Sequence, residues 1–212
     1  MARFICAATA CLFLLLVPAY SAGKIYIEPE KKPENGFLVT LGGGANIAGK
    51  SELRSQDTLP SFVNFTGNVN VWYGNLFSLG SGFFNVDTQI GLFFGYVPVM
   101  TYKDDSSGKR SSDVKLPVVI DVRFINKMGI FAGVGGGYAH TIITTIGITE
   151  ATGPAAVVSA LIGWEIDVGY NIYLGTTLRA MYFLQQLENT NGSRSKNNQL
   201  NIMPLIQVGY KF

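Results

Sequence analysis

Gly44, Gly49, Lys50 and Ser51 stand in the spacing G-x-x-x-x-G-K-[ST], within GANIAGKS at residues 44–51. In that pattern backbone N–H groups cradle a nucleotide's phosphates, the lysine reaches the terminal phosphates and the hydroxyl sits on Mg²⁺. VVID at 118–121 adds an apolar run ending in an acid, which a Mg²⁺-holding strand would also show. This chemistry works only where the loop leaves a buried parallel strand and opens a helix whose N–H groups face the anion. Here the match follows FLVTLGGGANI and runs into SELRSQDTLPS, which lacks helical apolar spacing and is closed by Pro60. Glycines that bend a strand and a solvated loop lysine account for the match, so no nucleotide is expected.

His140, the only histidine, is the natural candidate for a general base. Cys6 and Cys11, the only cysteines, lie so close to the start that they belong to a leader, leaving no thiol for a disulfide, a nucleophile or a metal. Scattered loop acids do not approach a Ca²⁺-binding pattern, so neither a metal nor a cofactor is expected. Asn64-Phe65-Thr66 and Asn191-Gly192-Ser193 match the glycosylation sequon.

The leader is residues 1–21. Arg3 precedes an apolar stretch from Phe4 to Val17, and Ala19-Tyr20-Ser21 offers a signal peptidase small residues, with cleavage expected after Ser21. The run breaks at Pro18 and falls short of the roughly 20 apolar residues a spanning helix needs. Without Arg3 the chain carries 15 basic against 14 acidic residues, which gives no electrostatic footprint for nucleic acid. Charged residues make up 14% of the chain and glycines number 25, too apolar and glycine-rich for an ordinary soluble domain. A membrane protein without helical spans must be a closed barrel, because hydrocarbon does not tolerate unpaired backbone groups.

Period two runs through the remainder. In QLNIMPLIQVGYKF, Leu200, Ile202, Pro204, Ile206, Val208, Tyr210 and Phe212 share one face, against Gln199, Asn201, Met203, Leu205, Gln207, Gly209 and Lys211. VKLPVVIDVRF and AVVSALIGWEIDV repeat the alternation. Eight such segments, at 36–47, 62–73, 83–102, 114–125, 129–145, 156–168, 172–187 and 199–212, predict an all-β, eight-stranded antiparallel transmembrane up-and-down β-barrel over 36–212. Residues 22–35 form a flexible periplasmic lead-in. Short turns at 126–128 and 169–171, with a longer one at 74–82, alternate with polar loops at 48–60, 103–113, 146–155 and 188–198, the asymmetry of outer-membrane barrels. Tyrosines and phenylalanines gather near both ends of the segments, as in interfacial girdles. On the faces opposite the apolar ones stand Asp87, Asp121, Glu165 and Asp167 with Lys115, Arg123, Arg179 and Lys211, a luminal charge network whose sum is neutral. Arg179 is expected to hold Glu165 of the preceding strand. Gly133, Gly135 and Gly137, and Gly42 and Gly44, fall on the inward phase and make room in a narrow barrel.

The leader, the eight alternating segments and the ending VGYKF resemble the small outer-membrane β-barrels of the OmpA/OmpX/OmpW type. The resemblance implies an outer-membrane location in a diderm bacterium, contact with membrane lipids and a lipopolysaccharide-like glycolipid, and an assembly signal in Tyr210 and Phe212 read by the outer-membrane assembly machinery. It also implies a filled polar lumen, a structural and surface-interaction role, and loops that meet host or adhesion ligands. Two other roles stay open: an OmpW-like channel for small apolar molecules, and a lipid-modifying enzyme. Lipid A deacylases, which resemble this barrel, pair a histidine with a serine two residues on; Ile142 stands there after His140, so no enzyme is expected.

Overall fold

The computed structural model describes residues 36–48, 64–74, 76, 78–79, 86–103, 110–145, 148–189, 192, 194–196 and 198–212. The expected leader and lead-in, residues 49–51 of the phosphate-loop match and most of the loop at 48–60 lie outside them. Ten strands follow in chain order: β1 (Phe37–Ala48), β2 (Asn64–Tyr73), β3 (Ser78–Leu79), β4 (Val86–Lys103), β5 (Arg110–Asn126), β6 (Ile130–Thr145), β7 (Ile148–Gly169), β8 (Ile172–Asn189), β9 (Arg194–Lys196) and β10 (Gln199–Lys211). Eight of them close into a ring, β10-β1-β2-β4-β5-β6-β7-β8, with β8 pairing back onto β10. All pairs are antiparallel. This is the eight-stranded up-and-down barrel that the period-two segments predict. Closure leaves no sheet edge among these eight strands, so their backbone groups bond one another along the ring.

The alternation turns the apolar face outward. Leu41, Phe65, Ile120, Val134, Val158, Ile162 and Ile206 are exposed, whereas Lys115, Asp121, Arg123 and Arg179 are buried. A soluble sandwich buries its apolar faces between sheets. Here the greasy face is the surface, and the lumen is the core.

Several strands outrun the segments that the alternation marks. β5 begins at Arg110 rather than 114, and β7 begins at Ile148 rather than 156. The stretch 146–155 is therefore strand over its greater part: Ala151, Thr152 and Gly153 pair with Ile143, Ile142 and Thr141 of β6. The expected loop 188–198 likewise contains β9, whose Arg194, Ser195 and Lys196 pair with Glu188, Leu187 and Gln186 of β8. Backbone pairing continues past the point where an apolar face is needed, so the hydrophobic period ends before the strand does. At the other end, β3 folds back onto β4, pairing Ser78 with Asp87 and Leu79 with Val86, inside the stretch read as a turn at 74–82.

Two tight turns lie at that same end. The Asn126 side-chain carbonyl accepts from the N–H groups of Met128 and Ile130, both at 3.0 Å, and the Trp164 indole donates to the Met128 carbonyl at 2.9 Å. Tyr170 and Asn171 both have positive φ, 54° and 62°. Two such residues between antiparallel strands match the hairpin turn whose twist suits the flanking strands.

Candidate functional site

The lumen is where the chain concentrates chemistry. Among the described residues, three buried cations occupy it, each held by an acid. Arg123 donates Nη1 and Nη2 to Glu165 Oε2 and Oε1 at 2.8 and 3.1 Å, and its Nε to Gln89 Oε1 at 2.7 Å. Arg179 donates Nη2 to Asp121 Oδ2 at 2.8 Å and Nη1 to the Ser159 hydroxyl at 2.9 Å. Lys115 Nζ lies 3.0 Å from Asp113 Oδ2 and 3.3 Å from Gln185 Oε1. Aromatic rings complete each site. The Arg123 guanidinium lies 4.2 Å from the centroid of the Trp72 ring and 4.8 Å from that of Phe131, Arg179 lies 4.1 Å from Phe93, and Lys115 lies 5.5 Å from Phe183. A guanidinium that grips a carboxylate in its plane and an aromatic on its face gives up water with the least loss.

Lys115 and Asp113 pair within β5, whereas the two arginine pairs reach across strands rather than to the nearest one. Arg179 of β8 passes Glu165 of β7 and meets Asp121 of β5, while Arg123 of β5 takes Glu165. The expected Arg179–Glu165 pair is thus replaced by two crossed pairs, and the register explains why. Arg179 stands opposite Leu161 on β7, whereas Glu165 stands opposite Gly175, four residues along β8. Between β5 and β7, Gly133, Gly135 and Gly137 of β6 stand opposite Arg123, Asp121 and Val119. A methyl at Gly135 would collide with Asp121 Oδ1 and the Ile120 carbonyl, so only hydrogen there lets side chains of β5 and β7 meet over β6.

Apolar layers seal the lumen around these pairs. Phe93, Val97, Val119, Ala139, Ala155, Val157, Met181, Phe183, Met203 and Leu205 form one buried cluster. Leu38, Trp72, Ile125, Phe131 and Leu161 form a second, with Tyr173 against it. The sequence reading singled out only Leu161, Met181 and Phe183 as inward apolar residues. The wall β10–β1–β2 is different: Asn46, Asn68, Asn70, Asn201, Thr40 and Thr66 are buried there, and none is ionisable.

Of the eight residues expected to form the charge network, Asp121, Arg123, Glu165, Arg179 and Lys115 are joined in these pairs. Asp87 lies on β4 opposite β3, where it accepts the Ser78 hydroxyl at 2.6 Å. Asp167 is exposed at the end of β7 and accepts the Gly169 N–H at 2.9 Å. Lys211 is half-buried at the end of β10. Asp113, read as loop, supplies the partner of Lys115; its two-residue spacing on one strand was the signal that places both on one face. Gly44 of the phosphate-loop match lies in β1 opposite Leu205 and Thr66, and Asp121 of VVID is the acid of an ion pair in an antiparallel strand. His140 stands on β6 opposite Leu116 and Pro154, on the outward phase with Ile142. Thr66, the third residue of one sequon, is buried and donates to the Tyr96 carbonyl at 2.7 Å.

Tyr210 and Phe212 are both exposed, with their rings edge to face at 4.9 Å. The Phe212 N–H donates to the Phe37 carbonyl at 2.8 Å, and Phe37 packs on Tyr73 at 5.1 Å. This cluster lies where β10 and β1 meet.

No family model matches the chain, and no curated protein matches it. Among solved structures, the chain is similar to neisserial surface protein A, at 12% identity over 83% of this chain and 97% of that one, with a TM-score of 0.46. It is similar to Ail, the attachment invasion locus protein of Yersinia pestis, at 11% identity over 85% and 100%, with a TM-score of 0.47. It is also similar to the outer membrane protein AlkL, at 12% identity over 90% and 96%, with a TM-score of 0.49. The barrel itself is established by the chain's own strand pairing.

Proposed function

We propose that the protein is an integral outer-membrane β-barrel of a diderm bacterium, with a filled lumen and a structural and surface-interaction role. The observation that carries this reading is the inversion of the barrel: an apolar exterior around three neutralised ion pairs and two apolar plugs. Lipid is the solvent such a surface requires, and eight strands enclose an interior just wide enough for side chains. Water-filled porins take roughly 16–18 strands. Hairpins β5–β6–β7 and β8–β9 continue beyond the apolar segments, at the end opposite the tight turns. Under this reading they face outside and meet a lipopolysaccharide-like glycolipid and host or adhesion ligands. Tyr210 and Phe212, at the β10–β1 junction, are the residues proposed to be read by the assembly machinery.

A second reading, a conduit for small apolar molecules, draws on the ten-residue apolar cluster inside the barrel. Its members are packed to between 0 and 3% exposure, so passage would require Phe93, Met181 and Met203 to part. Planar-bilayer recording of the purified barrel separates a filled lumen from an open one. We expect no steady ionic conductance; a stable pore of porin size would sink the filled-lumen reading.

A further inference from the structure

Asn46, Asn68, Asn70 and Asn201 on the wall β10–β1–β2 are each more than nine-tenths buried. Two of their amide groups are bonded: Asn46 Nδ2 donates to the Pro98 carbonyl and Asn70 Nδ2 to the Thr40 hydroxyl, both at 2.9 Å. Asn46 Oδ1, Asn70 Oδ1 and both amide atoms of Asn68 and of Asn201 meet no partner among the described residues. One unsatisfied amide is an isolated cost; six unsatisfied atoms on three adjacent strands describe a site. Buried polar groups in folded proteins find a partner in protein or in ordered water.

The partner must be neutral and small. β1 and β2 carry no acidic or basic side chain, and on β10 the only one is Lys211, at the turn end. Four acceptor oxygens and two donor amide nitrogens are offered, so a simple cation would leave the nitrogens unmet and a simple anion the oxygens. Gly42 stands opposite both Asn68 and Gln207, and a methyl on it would lie 2.6 Å from Asn68 Oδ1 and 2.9 Å from Gln207 Cγ. These side chains already fill the space over Gly42, which favours a small partner there. Toward the tight turns, β1 and β2 present buried Leu38 and Trp72, which close the wall.

We infer that this amide wall binds a cluster of ordered internal waters. A buried water makes about three hydrogen bonds to groups otherwise left unsatisfied. A few molecules therefore suffice for the six free atoms. The cluster hydrates the lumen without making it a pore, because the Leu38–Trp72 layer stands across its end.

Solution NMR of the barrel refolded in detergent micelles tests this, with the water resonance inverted and the side-chain amide protons detected. Asn68 and Asn201, assigned by the loss of their signals in Asn68→Leu and Asn201→Leu, are expected to show direct cross-relaxation with long-lived water. Amide protons that cross-relax only with aliphatic protons would overturn the inference, and that wild-type measurement stands even if one variant fails to fold. Denaturation in urea gives a second readout. Leucine has nearly the shape of asparagine, so in a dry wall each substitution raises the unfolding midpoint, and that result would also overturn the inference. In a hydrated wall each leaves waters short of a partner, and the midpoint is unchanged or lowered.

Discussion

The two walls of the lumen solve the same problem in opposite ways. On β5, β7 and β8, ionised groups are buried and each finds its counter-charge on another side chain. On β10, β1 and β2 the polar groups are neutral amides and hydroxyls, and many find no side-chain partner. A charge cannot be left unmatched inside a barrel, since an uncompensated buried ion costs several kcal/mol. A neutral amide tolerates an indirect partner. The stringency of pairing thus follows the charge: on one side each buried cation is locked to an acid, although Asp121 Oδ1 and Arg179 Nε keep open capacity, and on the other the open groups are neutral amides.

The comparison is sharpest at Arg179. Asp121, its partner, is fully buried, so Arg179→Ala leaves a carboxylate without its hydrogen-bonded counter-ion and without solvent. We expect a loss of about 3–5 kcal/mol in urea denaturation of the refolded barrel. The double variant Arg179→Ala with Asp121→Ala should recover part of that loss. An Arg179→Ala barrel as stable as one carrying Lys127→Ala, on an exposed turn, would remove the charged wall from the account.

Arg123→Ala should cost less, about 3 kcal/mol, although it breaks a two-pronged pair and two ring contacts. Glu165 keeps 11% of its side chain exposed, against none for Asp121, and can draw on water when its partner is gone. If Arg123→Ala proves the more damaging of the two, contact with Trp72 and Phe131 outweighs the burial of the acid.

The smallest effect belongs to the amide wall. Thr40→Val deletes the acceptor of the Asn70 side chain while keeping its shape, and about 1 kcal/mol is the ordinary worth of such a bond. A loss as large as that of Arg123→Ala would mean that the amide wall is as tightly interlocked as the charged one, and the contrast between them would fail.

The sequence carried the barrel well because two requirements coincide in its middle. A strand facing lipid on one side and a packed lumen on the other must alternate, as Leu200 to Tyr210 do. Above the lipid that coincidence ends. Thr152 and Gly153 pair with β6 in the same register as Val158 and Ile162, but no apolar face is required of them, so they read as loop. Alternation marks Lys115, Asp121, Arg123, Glu165 and Arg179 as inward, but it marks Asp87, Asp167 and Lys211 in the same way, and these lie near strand ends outside the pairs. The partners were not legible, because partnership depends on register and on which intervening residues are glycine. Arg179 meets Asp121 only because Gly135 stands between β5 and β7, a fact of three strands at once. Asp113 was hidden for the first reason and the amide wall for the second: Asn46, Asn68 and Asn201 look like ordinary inward polar residues until their neighbours are known.

The β1–β10 seam has a consequence for how the barrel comes into being. Around the ring every other pairing joins strands that follow one another closely along the chain, whereas Leu38 meets Lys211 and Ile47 meets Ile202. Hairpins are quick because little chain must be gathered, and a contact of such separation is slow because its loop entropy is spent before any bond rewards it. The seam is therefore the natural rate-limiting step. Until it closes, two strand edges stand open, with Phe37 and Phe212 at one end of the gap, and the half-made sheet is a template for the wrong neighbour.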